Sequence, residues 1–166
     1  MHDPQEPPAL SFSPIGTVHT RYRDIAGMPI QPAGARGEKG TIAIRPEFCD
    51  GLRDLAGFER IILIYAFHRC TEHRLAVVPF LDTVPRGIFA TRSPKRPNGI
   101  GLSVVRLTGT EGCTLHIEDA DILDGTPLLD IKPYVPEFDA YSVSGCGWLE
   151  KVAAGAGTAR SDDRFR

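Results

Sequence analysis

Ile61-Ile62-Leu63-Ile64-Tyr65-Ala66-Phe67 is an unbroken apolar run rich in β-branched and aromatic side chains. It is too short for a typical helix, so it predicts a central strand buried on both faces. Around it lie further short apolar runs at 15–19, 41–44, 75–80, 88–91, 102–108, 115–117 and 128–131. Almost every one is bounded by Gly, Pro, Asp or Asn, the pattern of short strands joined by turns. One short helix is expected after Pro46, where PEFCDGLRDLAGF sets Phe48, Leu52 and Leu55 at helical spacing and stops near Gly57. The expected fold class is mainly β, a small antiparallel β-barrel with a short helical flap.

The 166 residues suit one compact domain. A hydrophobic share of 42% with 24% charged residues excludes disorder throughout, and 31 Gly and Pro residues exclude a helical bundle. Net charge is only −2, which excludes nucleic-acid binding by bulk charge and leaves room for a local basic patch. Residues 1–9 read as a flexible lead-in, 10–152 as the barrel domain and 153–166 as a flexible tail, because both ends lack apolar surface to offset ordering. The start MHDPQEPPAL has no basic or apolar leader pattern, and no run is long enough to cross a bilayer. A cytoplasmic protein is expected. Cys49, Cys70, Cys113 and Cys146 form no C-x-x-C pair and are expected as buried, reduced thiols. The histidines show no metal spacing, so no metal is expected.

Two segments carry chemistry. FATRSPKRPNGIGLS, residues 89–103, holds Arg92, Lys95 and Arg96 without an acidic neighbour, between prolines that stiffen the path and glycines that bare backbone N–H groups. Such a loop could hold an anionic or polar ligand, and it could equally be a solvated turn. DADILDGTPLLDIKPYVPEFD, residues 119–139, carries six acids against Lys132 alone. Its Asp124-Gly125 is a turn signal, while Asp130, Lys132 and Tyr134 alternate along a strand and share one face.

PIGTVHT near the start, QPA at 31–33, FERIILIYAFH, GIFATRSPKRPNGIGLS and DILDGTPLLDIKPYVPEFD occur here as an ordered series over residues 12–148. This series resembles the TsaA-like family, whose best-understood member type is tRNA methyltransferase O. The resemblance implies a β-barrel enzyme that uses S-adenosylmethionine to methylate a threonylcarbamoyl-modified adenosine beside the anticodon of tRNA, working as a homodimer. It also implies a cofactor site at Gln31, Pro32, Ala33, His68, Arg69, Arg92, Leu102, Ile122, Leu123, Asp124 and Gly125. The family usually reads RPNPIG where Gly99 stands here, so a more flexible loop is expected. Many bacterial members also carry a further C-terminal domain that helps hold tRNA.

Methyl transfer to an amide-like nitrogen needs positioning and help with its proton. Asp130 is the candidate base, and Lys132 and Tyr134 are candidates to orient or polarise the acceptor. Lys95 and Arg96 are the candidates to bind substrate phosphate. A small-molecule methyltransferase and a non-enzymatic S-adenosylmethionine-binding module are the alternatives.

Overall fold

The structure, a computed structural model of the chain, describes residues 9–162. Six strands close into an antiparallel barrel in the order β1 (Gly16–His19), β2 (Lys39–Ile44), β7 (Thr114–Glu118), β6 (Ile100–Glu111), β3 (Arg60–Ala66) and β8 (Thr126–Pro133). The barrel is small enough for side chains to fill it: Val18, Ile42, Ile61, Leu63, Val105, Leu115 and Leu128 are fully buried inside. The mainly β expectation holds.

β3 lies between β6 and β8, as its apolar run suggests. Only one of its faces is fully buried, however. Ile61, Leu63 and Tyr65 point into the barrel, whereas Ile62 and Ile64 are half-buried on its outer wall, because a closed barrel offers a strand a single interior face.

Four local expectations change. Run 88–91 is a 3₁₀ turn, Ile88–Ala90, and run 75–80 contributes only β4 (Ala76–Val77), paired with β5 (Arg86–Gly87). The helix after Pro46 is two 3₁₀ turns, Pro46–Leu52 and Leu55–Gly57, because Arg53 is extended and Asp54 is left-handed at φ 66°. The tail expected to be free over 153–166 is docked as far as Ser161. Its turn Ala153–Gly157 packs on Pro32–Ala35, Arg160 bridges to Pro29, and the Ser161 N–H donates to the Met28 carbonyl at 2.8 Å. Small residues make this possible, since a Cβ at Gly34 would crowd the carbonyls of Ala156 and Gly157. Residues 1–8 of the lead-in and 163–166 of the tail lie outside the described residues.

The thiols also depart from expectation. Cys49 and Cys113 form a disulfide with a Cα–Cα distance of 5.2 Å, Cys70 is half-buried and Cys146 is exposed. The pairing follows from topology: Ile44 at the end of β2 hydrogen-bonds to Cys113 just before β7, so the following turn brings Cys49 to the same barrel end. Among the described residues no helix is long and apolar enough to cross a membrane. No group of three or more His, Cys, Asp or Glu there could hold a metal ion.

Candidate active site

With the barrel interior filled, the open space lies outside it. A cavity of about 840 Å³ opens between the barrel wall, segment 25–31, the loop leading to β6 and the C-terminal segment 148–161. Its size falls in the range of small-molecule sites. The walls are largely apolar, with Phe67, Phe80, Ile122, Leu123 and Trp148 among them.

Gln31, His68, Arg69, Arg92, Leu102, Ile122 and Leu123, drawn from distant parts of the sequence, all line this cavity. The Arg92 guanidinium donates to Gln31 Oε1 at 3.1 Å, joining two of the segments directly. Arg96 also reaches the cavity, but its Nη1 donates to the carbonyls of Thr91 at 2.7 Å and Ile88 at 3.3 Å, latching the loop. Lys95 is not among the cavity-lining residues and is buried at 7% exposure, so it is not the surface phosphate contact its sequence position suggests. Gly99 is tied in, its carbonyl accepting from the Phe67 N–H at 2.8 Å.

Pro32, Ala33, Asp124 and Gly125 are not among the cavity-lining residues. Asp124 instead caps the turn before β8. Its Oδ1 accepts from the Thr20 N–H at 3.2 Å and pairs with His19 Nδ1 at 3.3 Å, while Gly125 takes a left-handed φ of 77°. His68 lies largely exposed at the rim with Nδ1 3.4 Å from the Thr126 hydroxyl, and partial desolvation against the cavity wall, together with the neighbouring Arg69 charge, holds its pKa below the ordinary value.

Asp130 and Lys132 lie on the outer wall, with Asp130 Oδ2 2.8 Å from Lys132 Nζ. A bulge in β8 puts them there. Leu128 pairs with Tyr65 and Asp130 with Ile64, so one extra residue, Leu129, flips the alternation and turns Ile131 inward. Cross-strand pairing also sets Asp130, Ile64 and Leu102 in one outer row, and Leu102 forms a lip of the cavity. Tyr134 follows the end of β8, its N–H donating to the Arg60 carbonyl at 3.1 Å.

Asp121 is a cavity residue that the sequence reading did not single out. Its Oδ1 accepts from the Ser103 hydroxyl at 2.7 Å, and Ser103 Oγ lies 3.0 Å from Tyr65 Oη. Ser103 has one proton, which goes to Asp121, so Tyr65 donates to Ser103 and all three form a directed chain. Burial raises the Asp121 pKa from 3.8 to about 6, against the pull of Ser103 and Arg92. Burial, reinforced by the nearby Asp121 charge, holds the Tyr65 phenol far above its usual range. In sequence Asp121 is one acid among six; it lies in the loop between β7 and β8, and its environment comes from Ser103 on β6.

Residues 17–140 match the family model described as the tRNA-methyltransferase O N-terminal domain. The chain is 49% identical over 159 residues to a probable S-adenosyl-L-methionine-binding protein of Pyrococcus abyssi, covering 96% of this chain and 86% of that one. It is 44% identical to a putative S-adenosylmethionine-dependent methyltransferase of Pseudomonas aeruginosa over 78% of this chain, spanning 59% of that protein. With the mouse tRNA (adenine(37)-N6)-methyltransferase the identity is 33% over 79% of this chain, spanning 32% of that protein. The crystal structure of TrmO from Pseudomonas aeruginosa superposes with a TM-score of 0.71 at 38% identity, covering 84% of this chain and 62% of that chain. The cavity wall at 148–161 lies beyond the matched model, while the barrel and the 89–103 loop lie within it. Sequence motifs, barrel topology and these similarities agree, and the chain belongs to the tRNA-methyltransferase O family, the TsaA-like family that its motifs resemble.

Proposed function

We propose that this chain is an S-adenosylmethionine-dependent tRNA methyltransferase acting on the exocyclic nitrogen of adenosine next to the anticodon, with the threonylcarbamoyl-modified base as its acceptor. The observation that carries the reading is the convergence of Gln31, Arg92, Leu102 and Leu123 on one cavity in a barrel of this family. The residues present fit the cofactor: apolar walls suit a purine, Arg92 and Gln31 suit a carboxylate, and Asp121 suits a cation. S-adenosylmethionine, when bound, supplies an electrophilic methyl group.

The protein's own tasks are orientation and proton handling. Arg92 and Gln31 hold the ligand from the open side. Asp130, steadied by Lys132, takes the proton that the acceptor nitrogen must lose, and Tyr134 orients the base. The cross-strand row supports this division, because Asp130 stands two strands from Leu102, about 10 Å away at ordinary strand spacing. Arg69 and Arg96 at the rim supply positive charge for phosphate. A homodimer extends the open site, with Ile100 and Leu102, 43% and 52% exposed, at the shared edge. Such an enzyme works in the cytoplasm.

Incubating the full chain with methyl-labelled cofactor and total tRNA, then analysing nucleosides by mass spectrometry, tests the proposal. Label in the modified adenosine supports it. Cofactor turnover on a small molecule with tRNA inert, or binding without S-adenosylhomocysteine, supports one of the alternatives and overturns it.

A further inference from the structure

The lining of the cavity is electrically lopsided. Arg69, Arg92 and Arg96 bring positive charge, while Asp121 is the one carboxylate among the lining residues. It is also held from behind, as the end of the Tyr65–Ser103–Asp121 chain that runs from inside the barrel to the cavity wall. Tyr65 and Ser103 are 6% and 2% exposed, so this support is fixed by packing as well as by hydrogen bonds. A carboxylate that served only to satisfy Ser103 would be a costly choice in this position, since an amide oxygen would accept the same bond without the charge.

We infer that Asp121 is the cation-recognising group of the cavity, set by Ser103 and Tyr65 to face a positively charged centre of the bound ligand. This rests on the cofactor reading above and assigns a specificity role to a residue of that site. In S-adenosylmethionine two centres qualify, the sulfonium and the α-ammonium. Both are drawn to the same anion. Arg92, which lines the same cavity, would take the ligand carboxylate, so the cavity matches a zwitterionic ligand with opposite charges of its own.

The groups facing Asp121 are Tyr65 from β3, Ser103 from β6 and Arg92 from the loop before β6, with His68, Arg69 and Arg96 at the rim. Tyr65 stays neutral across the working pH range, and Asp121 and His68 are the groups here that titrate within it. A cation binds the ionised carboxylate. Affinity should therefore rise with pH through about 6, by about tenfold between pH 5 and pH 7, where the ionised fraction grows from about one eleventh to ten elevenths.

Calorimetry on the full chain tests this with three probes: S-adenosylmethionine (both cations), S-adenosylhomocysteine (ammonium only) and 5′-methylthioadenosine (neither). Wild type should show the tenfold rise with S-adenosylmethionine, Asp121→Asn should flatten it and Asp121→Glu should retain it. The neutral probe should bind Asp121→Asn as it binds wild type, which also reports that the variant is folded and corrects for His68. A rise with S-adenosylhomocysteine assigns the ammonium; a rise confined to S-adenosylmethionine assigns the sulfonium. An Asp121→Asn protein that keeps both the affinity and the rise makes the carboxylate structural and overturns the inference, as does a variant that loses the neutral probe too. Wild type that binds none of the three overturns the cofactor reading and this assignment with it.

Discussion

The aromatic ring of Tyr65 lies over Gly101, its cross-strand partner on β6, so closely that a Cβ there would overlap the ring carbons. The missing side chain lets the ring stand inside the barrel mouth and its hydroxyl reach Ser103. Gly101→Ala should therefore push the ring aside, costing about 1–3 kcal/mol of stability as overpacking does. A urea melt measures the loss, and an unchanged midpoint would show that the ring has room to move.

Gly99, two residues earlier, is the opposite case. Its φ is not left-handed, and a Cβ would make ordinary contact with Phe67 at 3.7 Å. Gly99→Ala should stabilise the protein by about 0.4–1 kcal/mol by restricting the unfolded chain. Thermal unfolding checks the direction.

The difference between these glycines shows what was legible in the sequence. Turn residues around apolar runs suffice for a β-barrel, and the order of motifs suffices for the family. The one-face burial of β3 depends on closure, and the outward turn of Asp130 depends on the bulge at Leu129; both are properties of pairing between strands. Asp121 stayed hidden in an acidic stretch because the hydroxyl that defines it belongs to residue 103. The Cys49–Cys113 bond joins residues 64 apart, a distance no local spacing reveals.

That disulfide closes a long loop and should contribute about 4 kcal/mol by the chain-entropy relation. Cys49→Ala, or reduction, should lower the urea midpoint accordingly, with Cys70→Ala as the comparison. Equal midpoints with and without reductant would show that the bridge adds no stability.

Asp121 also has a stability signature. Its pKa is raised from 3.8 to about 6, so the folded protein binds this proton more tightly than the unfolded chain does. The sign follows: the carboxylate costs nothing below pH 3.8, and its cost grows to on the order of 3 kcal/mol above pH 6. Unliganded Asp121→Asn should thus melt higher than wild type at pH 7.5, with the gap closing toward pH 4. A constant gap across that range contradicts the account.

Arg92 and the C-terminal segment line the same cavity. Arg92→Ala should weaken S-adenosylmethionine by about 1.5–3 kcal/mol, the range of a charged hydrogen bond. Ending the chain after Cys146 removes Trp148, whose indole N–H donates to the Ala90 carbonyl at 2.8 Å, and opens a wall of the cavity. It should speed ligand release, which stopped-flow measurement reads; an unaltered rate would make the segment a bystander.

The central claim is that the cavity beside the barrel holds the cofactor. A crystal structure of the full chain with S-adenosylhomocysteine tests it most directly. The account places the ligand between Gln31, Arg92, Asp121 and Leu123, with Leu102 at its open edge. Ligand in the second, shallower recess lined by His19, Lys39 and His116, or outside both, would contradict it.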